Sequence, residues 1–482
     1  MMLQTTRHRS RLFRCTGPIT PRLVVAGLAL GVWSAPAIPQ ASDDLPGADF
    51  YLDLSSGLVL SDNFDRVEEP SGTTTVFRNS AEIGFESITQ RERIGLFART
   101  DYDLGEFPDD TTGTDEGFNN TRARLLYGRS TRNDDFSFEA SYAENDVSSG
   151  NRLDDEDLAS DNTDLVDSAG LRQDSAASVG FTLGREGPFG VTGDLGYRGR
   201  RFIDTDDPDL EDRDVYFSEV FLRFAPARDT EISFGGSYEE RQTFDAADTF
   251  ETDTFVGVNI ARQMREGTVL EASAGVARNL EEVTRADGVR ISDEDVRPVF
   301  GLAAERQLPD GSVSVSLDQR LTDEGLRSEL QVGRNRSFRD SSLAWRIGVS
   351  ANDAEGANAI GAVRYVRETP QGTFTVDLSQ RVLTDTDDGD TLRSDFGLGW
   401  DRTLTRLSSV SLDLTLSNSE AFDEDVDDLS RGIAEIAYRY RLTEDWNLNT
   451  GYQYYVSTRT DRDDIVENRI FANVSRRFNL RP

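Results

Sequence analysis

The sequence has no lysine, one cysteine (Cys15) and one histidine (His8). Both single residues lie within positions 1–37, which have the three parts of a secretory signal peptide. Several arginines precede the apolar run LVVAGLALGVW, and an Ala-Pro-Ala cleavage site follows at 35–37. The apolar run is about 11 residues long, whereas a spanning helix needs about 20, so an N-terminal membrane anchor is the less favoured alternative. Cleavage is expected to leave a mature chain with neither cysteine nor histidine.

These absences exclude most catalytic and metal-binding chemistry. A chain without cysteine and histidine has no disulfide, no Cys/His metal site and no histidine-activated nucleophile. Paired carboxylates, as in glycoside hydrolysis, remain available, but no pair stands out. We therefore expect no enzyme activity, no cofactor and no bound metal.

The charge balance is strongly acidic, with a formal net charge of −36. A field of this sign repels polyanions, so a nucleic-acid partner is excluded. Two acidic segments, 204–212 and 385–390, invite comparison with calcium loops. In the second segment Gly389 occupies a position where the calcium-loop pattern needs a ligand, so a solvated loop is the favoured interpretation.

Long apolar runs are also absent after residue 37, so an exported chain of this kind spans a membrane as a barrel or not at all. Alternating polarity fills the rest of the chain, as in Phe136, Phe138, Ala140 and Tyr142. Counting such segments gives about 22 strands and leaves almost no room for helix. A soluble β-propeller or β-sandwich is the rival, but its central strands are usually apolar on both faces.

The connections between these strands alternate in length. Odd-numbered connections are mostly long and acidic, such as GEFPDDTTGTDEG, and even-numbered ones are tight, such as TRND and LPDG. This alternation is typical of outer-membrane barrels. The sequence therefore predicts an all-β fold, a transmembrane antiparallel up-and-down β-barrel over 49–482, preceded by a short periplasmic segment at 38–48. Because so few residues precede the first strand, no plug domain is expected.

Polar residues occupy the face opposite the apolar register, which suits a lumen containing water. Ten charged residues in this register are candidate lumen-lining residues: Arg99, Arg122, Arg124, Arg198, Arg200, Arg346, Arg439, Arg469, Asp101 and Asp194. One interpretation is a charged channel lining that favours anionic or sugar-like solutes. The other is an ion-pair network that fills and stiffens a wide barrel.

The chain ends on a strand, NRIFANVSRRFNLRP, whose alternate residues include Ile470, Val474 and Phe478. The last strand of a barrel must pair with the first, so that no edge is left unpaired in lipid. We expect Val474 and Phe478 to face lipid and the partner strand to lie near residues 50–60. Arg476 interrupts the apolar row, where its side chain can snorkel to the interface.

Two segments, GLVLSDNFD (57–65) and YQYYVSTRTDRDDIVENRIFANVSRRF (452–478), resemble β-barrel porins of Gram-negative outer membranes, some of them associated with surface-polysaccharide systems. The resemblance implies insertion by the barrel assembly machinery through a C-terminal strand signal, here Val474 and Phe478. It also implies involvement in polysaccharide export. The family's signal ends on the aromatic residue, whereas here NLRP follows Phe478.

The predicted function is a porin-like channel of the cell outer membrane for export or passage of anionic or saccharide solutes. The segment 144–174 is the best candidate for a loop that folds inward and narrows the opening. The alternative is a structural or surface-interaction barrel with a filled lumen and acidic, cation-binding extracellular loops. Expected partners are outer-membrane lipid, lipopolysaccharide, the assembly machinery and components of polysaccharide export.

Overall fold

The computed structural model describes residues 47–480, apart from 65, 67–69, 71, 107–116, 147–170, 204–210, 245–248, 265–266, 285–288, 323–324, 353–355, 386–388, 423–427 and 461–462. The predicted signal peptide, most of the predicted N-terminal segment and the predicted absence of a plug concern residues outside this part of the chain. Most of the predicted inward-folding segment 144–174 also lies outside the described residues. The same is true of part of each acidic segment, 204–212 and 385–390. The first strand begins at Gly47, two residues before the predicted start of the barrel.

The described residues form 22 β-strands, as the alternating polarity predicts. Their bounds are β1 Gly47–Ser61, β2 Thr74–Ile88, β3 Glu92–Glu106, β4 Gly117–Ser130, β5 Asp135–Asp146, β6 Leu171–Leu183, β7 Phe189–Ile203, β8 Arg213–Ala227, β9 Thr230–Thr243, β10 Thr249–Gln263, β11 Thr268–Thr284, β12 Arg290–Leu308, β13 Gly311–Thr322, β14 Gly325–Ser337, β15 Ser341–Asn352, β16 Gly356–Thr369, β17 Gly372–Asp385, β18 Gly389–Thr405, β19 Ser408–Ala421, β20 Leu429–Arg441, β21 Trp446–Arg459 and β22 Ile465–Asn479. No helix in the described residues is long and apolar enough to cross a membrane.

The strands close into a single antiparallel barrel. Each strand pairs with its neighbours in the chain, and β1 pairs with β22 from Tyr51 opposite Asn479 to Ser61 opposite Arg469. The two strands approach closely at Gly57, where an added Cβ would lie 2.5 Å from the Cβ of Asn473. The predicted closure of the barrel by its last strand is therefore confirmed.

The outward face is apolar and the inward face is polar along most strands. On β15 and β8, for example, outward Ile347 and Leu222 expose 60% and 55% of their surface. In the β1–β22 register Val474 and Phe478 lie opposite Ser56 and Leu52, on the outward face. Arg476 lies in the same row, with its guanidinium carbon 4.4 Å from the Phe478 ring centre.

The wall of the barrel is broken between β12 and β13. Their ladder ends at Gly301 opposite Asp318, although both strands continue toward the long connections. Beyond this point Leu321 is only 6% exposed and belongs to an apolar cluster with Phe221, Phe255, Ala277 and Val299. Phe255, Ala277 and Val299 lie on the inward face of β10, β11 and β12. The end of β13 therefore lies inside the wall formed by β11 and β12.

A second break separates β16 from β17. Their ladder ends at Gly361 opposite Gln380, and the described residues 356–360 and 381–385 do not pair with each other. Val382 is outward in register and Ile360 is inward, yet both are buried. Arg381 and Leu383 reach a cavity whose other walls are β2 to β10. The end of β17 thus leans into the lumen, a feature that alternating polarity did not predict.

Candidate functional site: the barrel lumen

A cavity of about 2030 Å³ runs along the inner wall formed by β2 to β10. It begins at residues 89–93, beside the turn between β2 and β3, and reaches Arg172, Arg213 and Arg241 near the opposite ends of their strands. Arg381 and Leu383 bound it from the other side of the barrel. The cavity therefore extends between the two rims rather than forming a closed internal void.

Arginines outnumber carboxylates in the lining of this cavity. The twelve arginines are Arg91, Arg93, Arg99, Arg122, Arg124, Arg129, Arg172, Arg198, Arg200, Arg213, Arg241 and Arg381. The nine carboxylates are Glu82, Glu92, Asp135, Glu139, Asp174, Asp194, Glu219, Glu239 and Asp253. The balance is the reverse of that in the whole chain, which has 88 acidic and 52 basic residues.

Six of the ten residues predicted from the sequence line this cavity, namely Arg99, Arg122, Arg124, Arg198, Arg200 and Asp194. Arg346 and Arg439 lie on the inward face of β15 and β20, away from it. Asp101 and Arg469 are also inward but are buried, at 2% and 6% exposure. The structure thus brings six of them together and places the other four elsewhere on the inner wall.

On the inner wall two arginines share one carboxylate in the groups centred on Asp174, Asp395 and Glu467, and Glu239 likewise pairs with Arg198 and Arg241 at 3.3 and 3.0 Å. Asp174 accepts from the Nε atoms of Arg172 and Arg200 at 2.7 and 3.0 Å. Asp395 accepts from Arg393 at 3.0 Å and pairs with Arg381 at 3.5 Å. Each of these groups carries one positive charge more than its carboxylate neutralises.

Glu467 is the centre of the third group, at the seam between β1 and β22. It accepts from Arg66 Nε at 2.8 Å, Arg469 Nε at 2.7 Å and Ser61 Oγ at 2.7 Å. The Arg66 guanidinium carbon lies 3.8 Å from the centre of the Tyr455 ring. Since Arg66 belongs to the connection between β1 and β2, part of that connection is folded into the barrel.

Like charges also face one another across neighbouring strands. Arg200 lies opposite Arg213 on β7 and β8, and Arg99 lies opposite Arg122 on β3 and β4. Directly opposite like charges on one face of a sheet are destabilising. Carboxylates of the wall lie beside these pairs, with Asp174 3.0 Å from Arg200 and Asp101 3.4 Å from Arg99, so these positions are chemically suited to anionic groups.

Carboxylates dominate two other parts of the wall. In the first, Asp194 lies opposite Glu219, nearer to the tight turns than Arg200. In the second, Asn279 donates to both Glu251 and Asp253 at 3.2 and 2.9 Å. Arg241 bridges Glu251 and Glu239 at 2.8 and 3.0 Å. Among the described residues no group of three or more acidic side chains is placed to hold a metal ion.

Sequence reasoning missed Arg66 and Arg381 as members of charged groups. Arg66 follows a strand end, where alternation no longer specifies a face, and its backbone is left-handed with φ of 56°. Arg381 lies on β17, and the inward lean of that strand leaves no mark on the alternating pattern. The shared carboxylates become visible only once the register between strands is known.

No protein-family model matches the sequence, and no curated protein matches it. Solved structures do resemble it in fold. The FrpB iron transporter from Neisseria meningitidis (F5-1 variant) aligns with a TM-score of 0.56 at 11% identity, covering 89% of this chain and 82% of that one. The copper transporter OprC gives 0.55 at 10% identity, covering 90% and 80%.

The ferric-catecholate import receptor Fiu from E. coli K12 gives a TM-score of 0.54 at 9% identity, covering 89% of this chain and 82% of that one. At such identities the likeness establishes architecture and says nothing of the solute. Together with the closed register, it shows that the chain has the 22-stranded β-barrel fold of outer-membrane transporters.

Proposed function

We propose that this protein is an outer-membrane channel whose lumen passes anionic solutes, anionic saccharides among them. The observation that carries the proposal is the excess of arginine over carboxylate along the cavity, in a chain whose overall charge is −36. Rings of one charge in a pore favour permeants of the opposite charge. Arginine keeps its charge at all physiological pH values and binds carboxylate and sulfate groups in a bidentate manner.

Three of the similar structures are transporters or receptors named for iron, copper or ferric-catecholate. An arginine-rich wall is a poor binding surface for a bare metal cation, because guanidinium groups repel it. We therefore do not extend those cargoes to this chain. The same proposal includes location in the outer membrane and export through a cleaved signal peptide. It also includes recognition of Val474 and Phe478 by the barrel assembly machinery and a role in polysaccharide export.

The proposal is tested by recording single channels in planar bilayers under a potassium chloride gradient. The wild-type reversal potential should have the sign of chloride preference. Changing Arg198→Gln together with Arg200→Gln removes two charges from the cavity wall and should lower that preference. The matched control is Arg334→Gln with Arg336→Gln. It removes two positive charges that are also two residues apart, but from the outward face of β14, where both arginines pair with Asp310 at 2.8 Å.

The second candidate is a structural barrel with a filled lumen. It is favoured by the parts of the chain that fold inward, namely the end of β13, the end of β17 and Arg66 in the first connection. Heat-modifiable, correctly folded protein that gives no conductance would contradict the channel and support this candidate. Conductance with equal selectivity in both double variants would contradict the arginine argument alone.

A further inference from the structure

The outer wall has a groove of about 670 Å³ across β15 to β21. It lies beside the break between β16 and β17, where Gly361 and Gln380 form the last pair of the ladder. Ile360, just beyond that pair, contributes to the lining. Because the end of β17 leans inward, the outer surface is recessed here instead of continuing as a smooth barrel wall.

An apolar row forms the lower part of this outer groove. Leu378, Phe396, Leu416, Gly432 and Val456 are paired one after another across β17 to β21 and all face outward. Gly432 leaves a gap in the row. A Cβ added there would lie 3.1 Å from the tips of Leu416 and Val456 and within the groove that they line.

A polar row without charge lies next to it. The next outward residue on each strand, toward the long connections, is Gln380, Ser394, Asn418, Ser430 and Thr458, and these too are paired in sequence. All five line the groove. Ser430 Oγ donates to Asn418 Oδ1 at 2.6 Å. The row therefore presents amide and hydroxyl groups over five neighbouring strands.

Some outward polar positions elsewhere on the barrel carry charge, whereas others, such as Ser56 and Asn79 on β1 and β2, do not. Arg278 pairs with Glu294 at 2.7 Å on β11 and β12, and Arg201 pairs with Asp214 at 2.6 Å on β7 and β8. Arg346, Asp395 and Arg431 also line the outer groove, although the register places them on the inward face. The five described side chains of the polar row carry no charge. Its chemistry suits a hydroxyl-rich partner better than a charged one.

We propose that the outer groove binds a glycolipid of the outer leaflet. Its acyl chain lies along the apolar row and fills the gap at Gly432, and its sugar hydroxyls exchange hydrogen bonds with the polar row. Amide and hydroxyl groups facing a membrane cost free energy unless they find such partners. This site lies on the outer wall and does not depend on the proposed channel.

The test uses wild-type protein reconstituted in vesicles with equimolar galactosyl-diacylglycerol and phosphatidylcholine of identical acyl chains. Native mass spectrometry then counts each lipid retained on the folded barrel. We expect the galactolipid to be enriched over its share in the vesicle. Gly432→Leu, which fills the gap, should remove that enrichment, and Asn418→Leu should remove the preference for the sugar headgroup.

The control is Ala274→Leu, a similar enlargement on the outward face of β11, between Val258 and Phe300, which should retain the enrichment. Lipid ratios equal to those of the vesicle in wild type, or enrichment of phosphatidylcholine, would overturn the proposal. So would enrichment that survives both Gly432→Leu and Asn418→Leu. Conductance is recorded on the same samples, and its loss or presence bears on the channel alone.

Discussion

Glu467 shows how much one side chain can organise inside this barrel. It has no exposed surface, and its partners come from the end of β1, from the connection that follows β1 and from β22 itself. Arg469, one of those partners, is itself almost fully buried. A buried carboxylate between two guanidiniums therefore fastens the first connection to the seam where the barrel closes.

Changing Glu467→Gln should destabilise the barrel markedly. The substitution keeps the shape but leaves Arg66 and Arg469 as buried cations without their carboxylate, which typically costs about 3–5 kcal/mol. Urea unfolding in micelles, followed by tryptophan fluorescence, measures the change in free energy of unfolding. Glu86→Gln is the matched control, because its partner Arg93 is 62% exposed and such pairs contribute about 0–1 kcal/mol. Equal effects of the two substitutions would contradict the role given to Glu467.

The sequence was informative about single residues only in part. It placed Arg469 on the inward face, and the register agrees. It could not show that Arg469 is buried, because the Arg469 guanidinium lies over the ring of Phe64, 5.6 Å from its centre, and Phe64 lies beyond the end of a strand. Alternation specifies a face, but the partner of an inward charge depends on which residues of distant segments are brought alongside.

At the scale of the strands the sequence was a better guide. Period-two alternation predicted 22 strands and the pairing of the last with the first, because lipid on one side and water on the other leave a simple pattern. The same pattern did not predict the two breaks in the wall, between β12 and β13 and between β16 and β17. Leu321 follows Val313, Val315 and Leu317 in register, so it looks lipid-facing whether β13 stays in the wall or leans inside it.

Leu321→Ala should therefore behave as a core substitution. Removing a buried leucine leaves a cavity against Val299 and Ala277 and typically costs about 2–5 kcal/mol. Leu330→Ala is the control, since Leu330 also lies on the outward face in register, on β14, but is 50% exposed. Detergent can fill the space that its truncation leaves. Urea unfolding of both variants gives the comparison. A cost for Leu321→Ala as small as that for Leu330→Ala would place Leu321 in contact with lipid.

The whole molecule separates its charges. The chain carries −36 overall, and the sequence segments between its strands on the long-connection side are rich in aspartate and glutamate. The wall of the lumen cavity has the opposite excess, with twelve arginines to nine carboxylates. Net charge read from composition would predict cation preference, so the sign of selectivity distinguishes a property of the cavity from a property of the chain.

The anion preference of the channel should weaken as salt concentration rises. The Debye length is about 10 Å at 0.1 M and about 3 Å at 1 M, so concentrated salt screens the guanidinium groups from a solute in the cavity. Reversal potentials at a fixed concentration ratio, measured around 0.1 M and again around 1 M, give the chloride-to-potassium permeability ratio. We expect it to fall toward unity in wild type and to change little in the Arg198→Gln, Arg200→Gln variant. A ratio that does not change with salt would point to pore size rather than arginine charge, because steric selection is insensitive to screening.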